Sequence, residues 1–279
     1  MRRNELDYIL GTMLDQGKDV SDLNITVDKP LQVESSGQLV GVPINPPVDK
    51  LTPFQTEQIA LNLVGGSRRL TEDLIRTGSC DSSYGLGQKA RFRVNIFSQR
   101  GNYSCVLRKL NTQIPTLEQL KLPGVFKEIA KEKTGLVLVT GATGSGKSTT
   151  LASMVNYINE SRDGHIITIE DPIEFVHPHK MCVVNQREVG ADTKSFGKAL
   201  RSVLREDANV ILVGEMRDFE SIATTITLAE TGHLVFATLH TNSAAQSIDR
   251  MIDVFPPHQQ PQIRSQLSNI LMSICSQRL

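Results

Sequence analysis

Residues 141–148 read Gly-Ala-Thr-Gly-Ser-Gly-Lys-Ser and fit the pattern GxxxxGK[ST]. The octet follows an apolar run, GLVLVT (135–140), and opens a segment of helical spacing. Strand, glycine-rich turn and helix in that order bring backbone N–H groups and a helix N-terminus together around phosphate oxygens. Gly141, Ala142, Thr143, Gly144, Ser145 and Gly146 form the turn of such a nucleotide site, with Thr149 on the first helical turn beside it. Lys147 is the cation for the β and γ phosphates, and Ser148 is a ligand for Mg2+. A chance glycine-rich turn is the alternative, and the flanking strand and helix argue against it.

The remainder of the C-terminal half repeats that rhythm. Apolar runs HIITI (165–169), NVILVG (209–214) and HLVFATLH (233–240) alternate with helical patterns at 147–160, 195–206, 219–230 and 243–252. Near-continuous apolar strands joined by helices predict a parallel sheet covered on both faces, an α/β nucleotide-binding core. The N-terminal half differs. Leu6, Ile9, Leu10 and Leu14 recur at helical spacing over 5–15, and PFQTEQIALNLV (53–64) predicts a second helix. In RFRVNIF (91–97) Phe92, Val94 and Ile96 alternate with Arg91, Arg93 and Asn95 as in a half-buried strand. A turn at Arg100-Gly101-Asn102 can return YSCVLRKL, which carries Arg108, as its antiparallel partner. This half predicts a small α+β domain. Between the halves, LNTQIPTLEQLKLP (110–123) places two prolines around a polar stretch and reads as a linker. At 279 residues the chain exceeds one usual core, and the expected division is domain 1–110, linker 111–123 and domain 124–279.

Charge and cysteine content narrow the function classes. Thirty Lys and Arg balance thirty Asp and Glu, so no global field favours nucleic acid or an anionic membrane surface, and no aromatic-basic patch supports a nucleic-acid motor. Cys80, Cys105, Cys182 and Cys275 form no CxxC pair, which argues against a zinc site or a disulfide framework and for a reducing cytosol. The N-terminus lacks an apolar signal core, and no segment approaches the ~20 apolar residues of a membrane span. The expectation is a soluble protein without direct membrane insertion, reaching a membrane through partners.

Acidic groups stand where the other strands end. Glu215 follows NVILVG, where a carboxylate organises the Mg2+ shell together with Ser148. HIITI runs into Glu170-Asp171-Pro172-Ile173-Glu174, three carboxylates at the strand edge where ligands of open α/β sheets bind, and one of them can orient the attacking water. Each taken singly can also be a solvated loop or helix-capping acid. His233 and His240 flank the last apolar run, and both are expected at the phosphate edge, sensing the γ phosphate by hydrogen bonding.

The segments GATGSGKST, TIEDPIEF (168–175), VNQREVGADTKSF (184–196), LREDANVILVGEMRD (204–218) and AETGHLVFATLHTNSA (229–244) resemble the Walker A, Asp box, Walker B and His box of the type II/IV secretion ATPase superfamily. Within it they look most like pilus retraction ATPases of the PilT type, and SDLNI, RFRVNIFSQRG and the linker extend the likeness over nearly the whole chain. The resemblance implies a PAS-like α+β N-terminal domain, a RecA-like P-loop ATPase domain and a homo-hexameric ring. It implies Glu174 as general base, Glu215 as organiser of Mg2+, and Arg91, Arg93 or Arg108 as arginines approaching the nucleotide. It further implies a cytoplasmic motor, peripheral to the inner membrane at the pilus base, that couples ATP hydrolysis to pilin disassembly and twitching motility. Its partners would be an inner-membrane platform protein and an assembly ATPase paralogue. The alternatives are an assembly or type II secretion ATPase and a nucleotide-binding regulator. Against the assembly class stand the absence of a long N-terminal region and of a four-cysteine motif. The chain also stops at SICSQRL, without the AIRNLIRE-like segment of retraction motors, as a truncated chain or a divergent member would; Asn24 replaces the usual histidine of SDLNI without chemical consequence.

Overall fold

The computed structural model describes residues 1–17, 19–87, 89–110 and 113–278. The chain divides into two compact units, Met1–Thr112 and Gln113–Leu279. Positions 111 and 112 of the expected linker lie outside the described residues, while Leu117 within it is buried with the core of the second unit.

In the first unit the elements run α1 (Arg3–Leu14), β1 (Val20–Ile25), β2 (Gln32–Ser35), β3 (Gln38–Gly41), α2 (Pro53–Val64), α3 (Arg68–Thr77), β4 (Ser79–Leu86), β5 (Ala90–Gln99) and β6 (Asn102–Leu110). The strands form an antiparallel sheet in the order β3-β2-β1-β6-β5-β4. Local chemistry sets α2: Thr52 accepts from the Gln55 N–H while Gln55 reaches back to the Thr52 N–H, Pro53 pre-sets the first turn, and Gly65 closes the helix with φ 64°. The β5–β6 hairpin turns at Arg100-Gly101, and Phe92, Val94 and Ile96 are fully buried with Leu6, Leu10 and Ile59. Arg93 pairs directly across from Arg108, so the arginines share the opposite face.

The second unit runs α4 (Val125–Lys131), β7 (Gly135–Thr140), α5 (Lys147–Ser161), β8 (Gly164–Glu170), β9 (Cys182–Glu188), α6 (Phe196–Val203), β10 (Val210–Val213), α7 (Phe219–Glu230), β11 (Leu234–Leu239), α8 (Ala244–Asp253), α9 (Gln260–Ile270) and β12 (Leu271–Ser276). The strands are parallel in the order β12-β7-β11-β10-β8-β9. Alternate residues of β7 enter different cores: Leu136 and Leu138 join Ile167, Ile211 and Val235 on one face, and Val137 and Val139 join Met154, Ile158 and Phe236 on the other. Two buried faces explain why these strands read as unbroken apolar runs. Among the described residues no helix is long and apolar enough to cross a membrane.

Candidate nucleotide-binding site

The parallel registers place four strand ends on one edge of the second sheet. Ile169 aligns with Val213, Val213 with Ala237, and Leu239 with Thr140. The turn after β7, the acidic run after β8, Glu215 after β10 and His240 after β11 therefore emerge together, at the carboxyl ends where open α/β sheets bind ligands.

The turn itself depends on its glycines, of which Gly141, Gly144 and Gly146 all have positive φ. Gly141 has φ 147°, and a Cβ there would lie 2.4 Å from the Gln277 carbonyl oxygen and 2.6 Å from Ser145 Oγ. Gly146, with φ 84°, starts α5 at Lys147 and so turns the first helical N–H groups toward the loop. Lys147 Nζ donates to the carbonyl oxygens of Gly141 and Ala142, each at 2.9 Å, and is held within the loop. Burial lowers its pKa, opposed by the carboxylates of Glu215 and Glu174, so both acids act on the same ammonium group. Ser145 Oγ is buried without a hydrogen-bond partner among the described residues, while Ser148 is exposed at the helix start. A loop with an enclosed lysine, an orphaned hydroxyl and a helix N-terminus has the donors that a polyphosphate needs.

Glu215 lies between Arg217 and His240. Its Oε2 accepts from Arg217 Nη2 at 2.7 Å, and its Oε1 stands 3.2 Å from His240 Nε2. Burial favours the neutral acid, but Arg217 and then His240 outweigh it and hold the carboxyl below its usual pKa. Glu215 is thus ionised near neutrality and lines a cleft of about 420 Å3 with Arg217, His240, Thr241 and Arg250. Ser148 shares a smaller cavity of about 30 Å3 with Glu170, His177, Gly214 and Thr238, enough room for a water molecule. Among the described residues no group of three His, Cys, Asp or Glu side chains could hold a metal. Ser148 and Glu215 fit Mg2+ only as a partial shell completed by water and phosphate oxygens, the manner in which that ion is usually held.

The three acids after β8 have different surroundings. Asp171 and Glu174 are exposed. The carboxyl of Glu170 turns inward: Thr168 Oγ1 donates to its Oε1 at 2.6 Å and Gln186 Nε2 at 3.2 Å. Burial pushes its pKa up to about 7, against those hydrogen bonds and one from the Glu174 backbone, so Glu170 is partly protonated at neutral pH.

His233 does not belong with this group. It precedes β11, its backbone carbonyl accepts from the Gly135 N–H at the start of β7, and its Nδ1 lies 2.9 Å from the Leu228 carbonyl oxygen. Six strand residues separate it from His240, which places the two at opposite sheet edges; the expectation of both facing phosphate is corrected, and His233 closes the α7–β11 turn.

In the first unit Arg91 Nη2 donates to Ser83 Oγ at 3.1 Å, and Arg108 Nε donates to Asp22 Oδ1 at 2.9 Å while its side chain stays 71% exposed. Arg93 is exposed beside them. Sequence reasoning did not single out Arg217, Gln186 or Gln277. Gln277 donates its backbone N–H to the Thr140 carbonyl at 2.7 Å and its Nε2 to Thr150 Oγ1 at 2.7 Å, bracing the loop from β12. The segments holding Arg217 and Gln186 stood out only by resemblance; which side chain faces the site depends on strand pairing.

A phosphate loop and acidic side chains at the carboxyl edge of a parallel sheet define the ATPase core of a P-loop protein of RecA-like fold. Residues 83–279 match the model of the type II/IV secretion system protein family, and the chain belongs to that family. It is 47% identical over 260 residues to the type IV pilus retractation ATPase PilT of Pseudomonas aeruginosa, covering 93% of this chain and 74% of that protein. It is 42% identical over 275 residues to the type IV pilus ATPase PilU of the same species, covering 99% of this chain and 70% of the relative. A crystal structure of the pilus retraction motor PilT with bound ADP superposes with a TM-score of 0.88 at 48% identity, over 98% of this chain and 78% of the other. The Legionella pneumophila ATPase DotB follows at a TM-score of 0.83 and 29% identity, over 95% of this chain and 74% of the other.

Proposed function

We propose that this chain is the ATP-hydrolysing subunit of a homo-hexameric motor that retracts type IV pili, acting from the cytoplasm on a platform protein at the inner membrane. The observation that carries the reading is the convergence of Lys147, Glu174 and Glu215 at one sheet edge, in a chain 47% identical to a pilus retraction ATPase. An assembly ATPase paralogue is its functional counterpart in the same machine. Nucleotide binding begins as Lys147 exchanges its two loop carbonyls for phosphate oxygens, with Gly141–Ser148 and Thr149 around them. When bound, Mg2+ neutralises charge between phosphate oxygens. Ser148 and Glu215 would hold it, and Arg217 and His240 keep Glu215 ionised for that task. The Glu174 carboxylate orients a water molecule and takes its proton. Arg91, Arg93 or Arg108 compensates the charge growing on the transferred group. Glu215 also links His240 to the metal side, so that His240 registers whether the γ phosphate is present.

Two measurements together test the reading: phosphate release by the purified chain, and restored retraction and surface motility in cells lacking their own retraction motor. Hydrolysis without restored retraction would leave an ATPase of the family and defeat the motor assignment.

A further inference from the structure

Residues 171–181, between β8 and β9, carry Glu174 and contain no helix or strand, so side chains must satisfy much of their backbone. Asn159 on α5 holds the Pro178 carbonyl and the Lys180 N–H at the far end, and Gln186 on β9 holds the stretch next to Glu174. Its Nε2 donates to the Phe175 carbonyl at 2.8 Å and to Glu170 Oε1 at 3.2 Å, and its Oε1 accepts from the His177 N–H at 2.7 Å. A second anchor lies on the other side of Glu174, where Glu188 Oε2 accepts from the Ile173 N–H at 3.1 Å. Ile173, Phe175 and His177 are buried, and the alternation leaves Glu174 exposed between them.

We propose that Gln186 is the positioning residue for Glu174, fixing the peptide that follows the base and tying it to the end of β8. The proposal rests on Glu174 being the base. A base acts only when its carboxylate is held within hydrogen-bond reach of the water, and small misplacements lower the rate steeply. Glutamine suits the position because one amide must donate to a carbonyl and accept from an N–H at once. Methionine of similar length does neither, and glutamate keeps only the acceptor.

The test uses the full chain with Gln186→Met and Gln186→Glu, each also combined with Glu174→Gln. Gln186→Met is expected to lower kcat for MgATP about 10- to 100-fold, with KM and ADP affinity within about twofold of wild type because the phosphate loop is untouched. Gln186→Glu should fall between that variant and wild type, since the His177 N–H keeps its acceptor. Amide exchange at His177 should quicken in Gln186→Met while α5 stays protected. In single turnovers with Glu174→Gln present, the methionine change should add little. Wild-type kcat in Gln186→Met, or an equal loss with and without Glu174, overturns the proposal. A loss of ADP affinity matching the loss of kcat also overturns it, by showing a general structural role. Wild-type turnover of Glu174→Gln alone instead defeats the base assignment and takes this proposal with it.

Discussion

Replacing Glu170 with glutamine removes a titrating group while keeping its shape, and the structure sets the size of the response. The carboxyl's ordinary value of 4.5 rises to about 7, chiefly through burial beside Thr168 and Gln186. The folded protein thus binds a proton more tightly than the unfolded chain does. That contribution to stability is fully present below pH 4.5 and is lost as pH rises through about 7. At ~1.4 kcal/mol per pH unit the interval corresponds to about 3 kcal/mol, or roughly 6–12 °C for a unit of this size. An amide has no charge to desolvate and can still accept from Thr168 and Gln186. Thermal melts of nucleotide-free wild type and Glu170→Gln at half-unit steps from pH 4.5 to 8.5 read the effect directly. The melting-temperature difference should move in favour of the variant as pH rises and level off above pH 8. A difference that is constant across the series would refute a proton-holding Glu170.

Lys147→Ala should abolish hydrolysis and weaken ATP binding, since it removes the side-chain cation of the loop; near wild-type turnover would defeat that assignment. Asn159 is fully buried and bonds the Pro178 carbonyl and the N–H groups of Lys180 and Cys182. Asn159→Ala should therefore destabilise the second unit by about 3–5 kcal/mol, visible as a lower denaturant midpoint. At least one of Arg91→Ala, Arg93→Ala and Arg108→Ala should lower kcat by about 10³ while sparing nucleotide affinity. Partial recovery on mixing such a variant with Glu174→Gln chains shows action in trans, whereas three active single variants return these arginines to a solvated sheet face.

Where apolar patterns and local signals agreed, the sequence was readable at the level of single elements. β7 occupies the whole of GLVLVT because both its faces are buried, and α2 begins and ends where Thr52, Pro53 and Gly65 place it. The hairpin joining Arg93 to Arg108 followed from alternation and one turn. What the sequence hid depends on contacts between distant segments. β9 pairs parallel to β8 with Gln186 opposite Thr168, and only that register aims Gln186 at the Glu170 carboxyl. Likewise Asp22 meets Arg108 because β1 lies beside β6, 86 positions away in the chain. His233 was misplaced for a simpler reason: flanking histidines look equivalent in a sequence, but a parallel strand presents only its carboxyl end to phosphate.

Steady-state phosphate release by Glu174→Gln and Glu170→Gln, measured side by side with MgATP affinity, decides which glutamate is the base. Glu174→Gln should bind MgATP as wild type does yet lose turnover by several orders of magnitude, while Glu170→Gln keeps most of its activity near neutral pH. Normal hydrolysis by Glu174→Gln with loss in Glu170→Gln would contradict this assignment and move the base to Glu170.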